Sequence, residues 1–461
     1  LKIDSNKFTF RKKDILEQHT TSNAAIRSAI VAALGGFLFG FDTAVISGVE
    51  TDIQKLWSLD KFWHGFTVAS ALFGTVMGAA FAGRPSETYG RRKVLQGIGL
   101  LYLLTSLGAA LTSTWWVFVA FRFLGGIGVG ASSVVGPMYI SEISPAHSRG
   151  RLVALFQFNV VAGILIAFLS NYFLYGIIEE SWRWMLGVQA IPSFLYFVLV
   201  FLVPESPRWL IKQGKSSEAE GVLQEVGDPS PKASVDQIQK ALKEEEASGH
   251  EKLFSKAYRS PIFYAVTLAL FNQLSGINAI MYYAPRIFEL TGLTKETSLL
   301  QAVSIGATNM IFTLLAITVI DKFGRKTLML IGSVGVIVFL ALTAAAFYQE
   351  QQGGYAVMIY LIGFIAFFAF SQGAVIWVFI AEIFPNRVRS KGQSLGSFTH
   401  WIMAALISLT FPIFAEGSQL GGAIAFTFFA VMMLLQLLFV WKVMPETKGK
   451  SLEQIQSGVL H

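Results

Sequence analysis

Long apolar runs separated by short polar breaks dominate the chain from residue 27 onward. Twelve runs can be delimited, at residues 27–48, 63–82, 94–112, 115–138, 152–175, 184–203, 261–288, 298–320, 327–348, 355–380, 393–416 and 421–443. Each approaches or exceeds the roughly 20 residues that a helix needs to cross a bilayer, and each is closed by charges or by Gly and Pro. The pattern predicts an all-α membrane protein with twelve spans. One interval departs from it: residues 204–260 alternate charges with scattered apolar positions at helical spacing, which predicts short amphipathic helices. The chain then divides into an N-terminal tail (1–26), a six-helix bundle (27–203), a cytoplasmic helical linker (204–260), a second six-helix bundle (261–443) and a C-terminal tail (444–461).

Composition agrees with a lipid environment. Hydrophobic residues make up 53% of the chain and charged residues only 14%, against about 25% charged in a soluble domain. The formal net charge of +7 invites a nucleic-acid reading, which the placement of the charges makes superfluous. Basic clusters such as Arg91–Arg92–Lys93, Lys322–Arg325–Lys326 and Arg387–Arg389–Lys391 occupy alternate connections. The intervening connections are poor in Lys and Arg and carry Glu50, Asp52, Asp60, Glu179 and Glu180. This positive-inside asymmetry puts both termini in the cytoplasm. The absence of cysteine excludes disulfides and thiolate metal sites, and the six histidines lack ligand spacing, so no metal is expected. No N-x-[ST] sequon occurs, which favours a bacterial cytoplasmic (inner) membrane over a eukaryotic cell surface. The glycine run Gly125–Ser132 lacks the lysine of a phosphate-cradling loop and predicts close helix contacts instead. No hydrolase signature is present, so an enzyme is not expected.

The two groups of spans repeat one another. Gly90 of YGRRK and Gly324 of FGRK are 234 residues apart, Glu142 and Glu382 are 240 apart, as are Arg149 and Arg389, and Glu205 and Glu446 are 241 apart. Near-constant offsets indicate duplication of a six-span unit, and parallel repeats around a central cavity are a transporter architecture. The strings GRPSETYGRRK, RFLGGIGVG, PESPRWL, QLSGINAIMYYAP, FGRK and PETKGKSLEQI, in that order, resemble the sugar porter family of the major facilitator superfamily from about Ala25 to Ile455. The resemblance implies two pseudo-symmetric six-helix bundles, a sugar site between them at mid-membrane, alternating access, and a monomer as the working unit. One position departs: Glu87 stands where the family's first loop carries Asp, which keeps the charge on a longer arm.

Asp42 is a carboxylate inside the first apolar run, where ionisation costs several kcal/mol unless the charge is paired, wetted or neutralised. Arg122 lies in the fourth run at the same distance from its outer end, so both sit roughly 10 Å deep at 1.5 Å per residue. An Asp beside Arg stays ionised, whereas an Asp that loses its partner in a dry site takes up a proton. A conformational change that makes and breaks the pair would load and release one proton per cycle. The bland alternative is a static pair that fixes helix packing. By resemblance, Asp42 and Arg122 match the proton-coupled members, since facilitative glucose transporters carry Asn in place of this Asp.

A sugar presents hydroxyls over a partly apolar face, so its site needs amides and an aromatic platform. Asn272, Gln273, Asn278 and Asn309 offer amides at similar depth, joined by Gln157, Trp377, His400 and Trp401. Taken singly, any of these amides reads equally well as a helix–helix hydrogen bond. By resemblance, Gln157, Gln273, Asn278, Asn309 and Trp377 match the family's sugar contacts. Asn272 and His400 depart from its common residues, and Ile164 matches hexose carriers. The substrate expected is therefore a monosaccharide, with a hexose such as glucose or galactose favoured and xylose possible, moved with a proton and no other cofactor.

Gly276 and Pro285 mark a bend in the seventh span, with Tyr282 and Tyr283 as gate residues above the sugar. Glu142 with Arg149, Glu205 with Arg208, and Glu382 with Arg389 are charged groups at the inner helix ends, beside Glu87, Arg91 and Arg325 of the repeated loops; salt bridges between the halves there are expected to close the inside while the outside is open and to break in the reverse state. The alternatives are a uniporter in which Asp42 is structural, and a sugar receptor that does not transport.

Overall fold

A computed structural model describes residues 22–145, 147–247, 252–349, 355–385, 387–415, 417 and 420–448. Residues 1–21 and 449–461, which include most of both expected tails and the end of PETKGKSLEQI, lie outside the described residues.

Among the described residues, twelve helices are long and apolar enough to cross a membrane: Asn23–Gly48, Lys61–Phe81, Arg91–Leu111, Trp115–Ile143, Arg149–Leu174, Ser181–Leu202, Lys256–Glu289, Lys295–Ile320, Arg325–Tyr348, Tyr355–Ile383, Arg389–Ala415 and Gly421–Lys442. We number them spans 1 to 12. Several run past the apolar stretches toward the basic loops, span 3 starting at Arg91 and span 4 ending at Ile143. Charged and polar residues belong to these helix ends because the helix continues beyond the hydrocarbon. Side-chain caps set some of the starts: Ser22 accepts from the Ala25 amide, Asp60 from Trp63 and Thr294 from Thr297. Between spans 6 and 7 lie the linker helices Pro207–Lys212, Ser216–Glu225 and Pro231–Ala247, the first stopped and started by Ser206 capping the Trp209 amide.

Within the first half, span 1 packs on spans 4 and 5, span 2 on span 4, and span 3 on spans 4 and 6. In the second half, span 9 packs on spans 10 and 12, and span 7 on span 11. The halves meet where span 2 lies along span 11 and span 5 along span 8.

The duplication is visible in detail. Gly90 and Gly324 hold φ of 96° and 89° at matching turns, a region that side-chain-bearing residues rarely adopt. A Cβ on Gly90 would meet Glu205 at 2.3 Å, and one on Gly324 would meet Glu446 at 2.7 Å. Several spans are interrupted near the middle or the end opposite the basic loops, span 6 at Val188 and Gln189 among them. Span 7 breaks at Ser275 and Gly276, the latter with φ 82°, and again at Tyr283, two residues before Pro285. Span 10 breaks at Ser371, and span 1 finishes in the 3₁₀ turn Ile46–Gly48.

Candidate functional site

Asp42 and Arg122 meet as their equal depth predicts. Arg122 Nη1 donates to Asp42 Oδ1 at 2.9 Å, and the residues are 4% and 6% exposed. The bond is single, and Arg122 Nε and Nη2 find no protein acceptor. Tyr282 is buried next to this pair, within reach of both charges and of Thr43. Separating the partners of a pair this dry would leave buried charges without compensation.

Deeper in the molecule the break in span 7 gathers the amides. Gln273 Nε2 donates to Asn272 Oδ1 at 3.1 Å and lies 3.0 and 3.2 Å from the two ring nitrogens of His400 on span 11. Asn278 Nδ2 donates to Gln273 Oε1 at 2.6 Å, and Asn272 Nδ2 reaches the Gln372 carbonyl, beside the break in span 10, at 3.4 Å. Helix breaks thus turn side chains of spans 7, 10 and 11 into one polar string. His400 is held between Trp377 and Trp401, with ring centroids 4.8 and 4.9 Å away, and Phe39 of span 1 meets the Trp401 ring edge-on at 5.6 Å. Trp377 is 38% exposed although it packs on buried His400, so one face of its ring is left free. Gln157 and Asn309, from opposite halves, are half-buried and engage no protein partner among the described residues. Ile164 is buried. The cluster on spans 7, 10 and 11 therefore combines oriented amides with a partly exposed indole, groups of the kind that hydroxyl recognition over an apolar ring face requires.

At the end opposite the basic loops the halves are closed against each other. Tyr283 is fully buried at the kink of span 7, donates its hydroxyl to the Ser408 carbonyl at 2.9 Å, and packs on Phe411 at 5.2 Å. Gly65 of span 2 approaches span 11 so closely that a Cβ would lie 2.1 Å from the Leu409 carbonyl oxygen. Lys295 Nζ lies 2.6 Å from Asp52 Oδ2, and Arg286 Nη2 donates to Gln54 Oε1 at 3.3 Å. The contacts of Gly65, Lys295 and Arg286 cross between the halves, and they were not legible in the sequence, where Asp52 reads only as a loop acid.

At the basic end the carboxylates find partners within their own half, as expected where the outer end is closed. Glu142 bonds Arg91 at 2.8 Å and the Ser206 hydroxyl, not Arg149, which is exposed. Glu382 bonds Arg325 at 2.8 Å and Thr447 at 2.6 Å, and not Arg389, whose Nε reaches the Phe384 carbonyl at 3.4 Å. Glu205 accepts from the Arg91 and Arg92 amides at 2.9 and 3.1 Å, and Glu446 from the Arg325 and Lys326 amides at 3.1 and 3.0 Å. Every one of these bonds stays inside its own half. The bridges between halves expected from Glu142, Glu205 and Glu382 are not what these carboxylates make here, because in a molecule closed at the far end each finds a guanidinium, hydroxyl or amide in its own repeat. Glu87 bonds Arg91 and Lys212, so its longer arm keeps the loop's charge partner. Burial pushes the Glu87 carboxyl up, but the Lys212 bond and the Arg91 charge outweigh it and hold it below the usual range. Burial dominates at Glu205 and raises its carboxyl, whereas at Glu446 four backbone amides outweigh burial and lower it.

Comparison with known proteins agrees with this geometry. The model of the sugar (and other) transporter family matches residues 28–458. The chain is 36% identical to the D-xylose-proton symporter of Escherichia coli K12, over 93% of this chain and 94% of that protein. It is 38% identical to the glucose transport protein of Synechocystis, over 92% and 95%. A solved structure of the E. coli xylose transporter XylE, in a partially occluded inward open conformation, superposes with a TM-score of 0.83 at 35% identity, covering 93% of this chain and 100% of that one. The chain belongs to the sugar (and other) transporter family: it is a multi-pass membrane transporter of the major facilitator fold and not an enzyme.

Proposed function

We propose that the protein carries a monosaccharide together with a proton across the cytoplasmic membrane by alternating access, with the basic loops in the cytoplasm. The observation that carries this reading is the buried, singly bonded Asp42–Arg122 pair. In the conformation described, the outer end is closed and the pair is formed, so Asp42 is ionised and its proton has been released. Reopening outward separates the pair, and the carboxylate then takes a proton from the outer side. The two relatives named above, one a xylose-proton symporter and the other a glucose transporter, agree with a monosaccharide cargo.

Gln157 and Asn309 are the amides left to read hydroxyls, Gln273, Asn272 and Asn278 are oriented by one another and by His400, and Trp377 supplies the platform. The apolar Ile164 favours a hexose over xylose. The test is uptake of labelled glucose, galactose and xylose into proteoliposomes with and without an inward proton gradient. Gradient-stimulated uptake of one of them, strongest for a hexose, is expected. Uptake indifferent to the gradient would overturn the coupling, and no uptake of any of the three would overturn the cargo.

A further inference from the structure

The outer closure contains a buried ionisable pair that neither the sugar site nor the coupling pair uses. His64, in the first turn of span 2, places Nε2 2.6 Å from Oε2 of Glu50 in the helix Glu50–Leu56, and both side chains are 0% exposed. Thr51 donates its hydroxyl to the other carboxylate oxygen at 3.2 Å. The His64 ring stands edge-on to Tyr283 at 5.8 Å, and Tyr283 belongs to the opposite half. From that half Arg286 and Lys295 also bear on the carboxylate, offset in part by Glu289. Burial pushes the Glu50 carboxyl up, and His64, Arg286 and Lys295 together outweigh it, so the group is ionised.

A buried carboxylate held by one residue of its own half and two cations of the other is stable only while the halves are together. Opening the outer side withdraws Tyr283, Arg286 and Lys295 at once, and water must replace them. The same seam carries the Asp52–Lys295 ion pair and the Gln54–Arg286 hydrogen bond.

We propose that Glu50 and His64 are positioning residues of the outer gate, which hold Tyr283 across the seam when the outer side is closed and thereby set how much of the time the carrier faces inward. The proposal rests on the alternating-access reading, but not on which sugar moves or on the proton. Removing the pair favours the outward-open state, so external sugar binds as well as before or more tightly while turnover falls. A merely structural loss would lower both, together with the yield of folded protein.

The natural chain has no cysteine, so Leu56→Cys and Leu290→Cys, exposed positions on the two sides of the seam, can carry spin labels in the full-length protein. The distance between them is read without sugar and without a gradient, which separates a failure of the latch from a failure of the transport reading. The expected result is a short distance in the parent and a shift of about tenfold toward a longer one in Glu50→Gln and in His64→Ala. Asp52→Lys should shift the population the same way, and adding Lys295→Asp should restore the short distance. An unchanged distance distribution in Glu50→Gln overturns the proposal; if that variant does not fold, an unchanged distribution in Asp52→Lys, or no recovery in the double exchange, overturns it.

Discussion

Arg122 gives Asp42 one hydrogen bond and keeps two donors without an acceptor among the described residues, an arrangement that pairs the carboxylate without fixing it bidentately. Removing only the guanidinium strands a buried carboxylate, which costs about 3–5 kcal/mol in a site of this kind. Arg122→Ala should therefore lower thermal stability in detergent, and the paired exchange Asp42→Asn with Arg122→Gln should recover most of that loss. Equal stability of Arg122→Ala and the parent would contradict a dry pair. The amides proposed to face the sugar divide differently. Gln157 and Asn309 have no protein partner to lose, so Gln157→Ala and Asn309→Ala should each raise the KM for sugar about tenfold, the value of one good hydrogen bond, with little change in the unfolding temperature. Gln273→Ala should lose both affinity and stability, because Gln273 also links Asn272, Asn278 and His400. A common drop in stability for all three variants would contradict this division.

The helix ends carry the next set of consequences. Gly90 and Gly324 close matching turns against Glu205 and Glu446, so Gly90→Ala must strain the backbone and displace a carboxylate that bonds two amides. A loss of about 1–3 kcal/mol is expected, read as a lowered midpoint of thermal unfolding. The two clasps also titrate apart. With the Glu205 carboxyl raised by burial and the Glu446 carboxyl lowered by its amides, falling pH neutralises Glu205 first and Glu446 last. What Glu446 contributes is fully present above the ordinary carboxylate range and is lost as pH falls through its lowered value. Isotope-edited infrared titration of Glu205→Gln and Glu446→Gln against the parent would show the two carboxyl bands appearing in that order; the reverse order would contradict the assignment. At this scale the sequence is informative where periodicity and depth decide. The twelve spans, the joint after span 6 and the meeting of Asp42 with Arg122 all follow from run length and from 1.5 Å of rise per residue. The partner of Glu142 does not follow. Arg149 is near in sequence, yet Arg91 reaches Glu142 because the loop after span 2 folds the start of span 3 under the end of span 4. His64 likewise reads as one isolated histidine and Glu50 as a loop acid, since nothing in a linear pattern reports a contact between two helix ends that both face the opposite half.

For the whole molecule, the two halves share one set of clasps at the basic end and meet at the far end through Tyr283, Gly65 and the charges around Glu50. Each half is therefore braced internally, and the seam between them is where a carrier must change. The buried ion pair of Asp42 and Arg122 lies inside the first half, beside Tyr282 of the second, so movement at the seam bears on the proposed proton site without any contact between proton and sugar. The most direct test is proton uptake on sugar addition, recorded with purified protein in liposomes containing a pH dye, for the parent and for Asp42→Asn. The account predicts that glucose, galactose or xylose alkalinises the outside with the parent, and that Asp42→Asn abolishes the signal while sugar exchange continues. Movement of labelled sugar by the parent with no proton signal would contradict it, and would leave Asp42 as a structural partner of Arg122 in a uniporter.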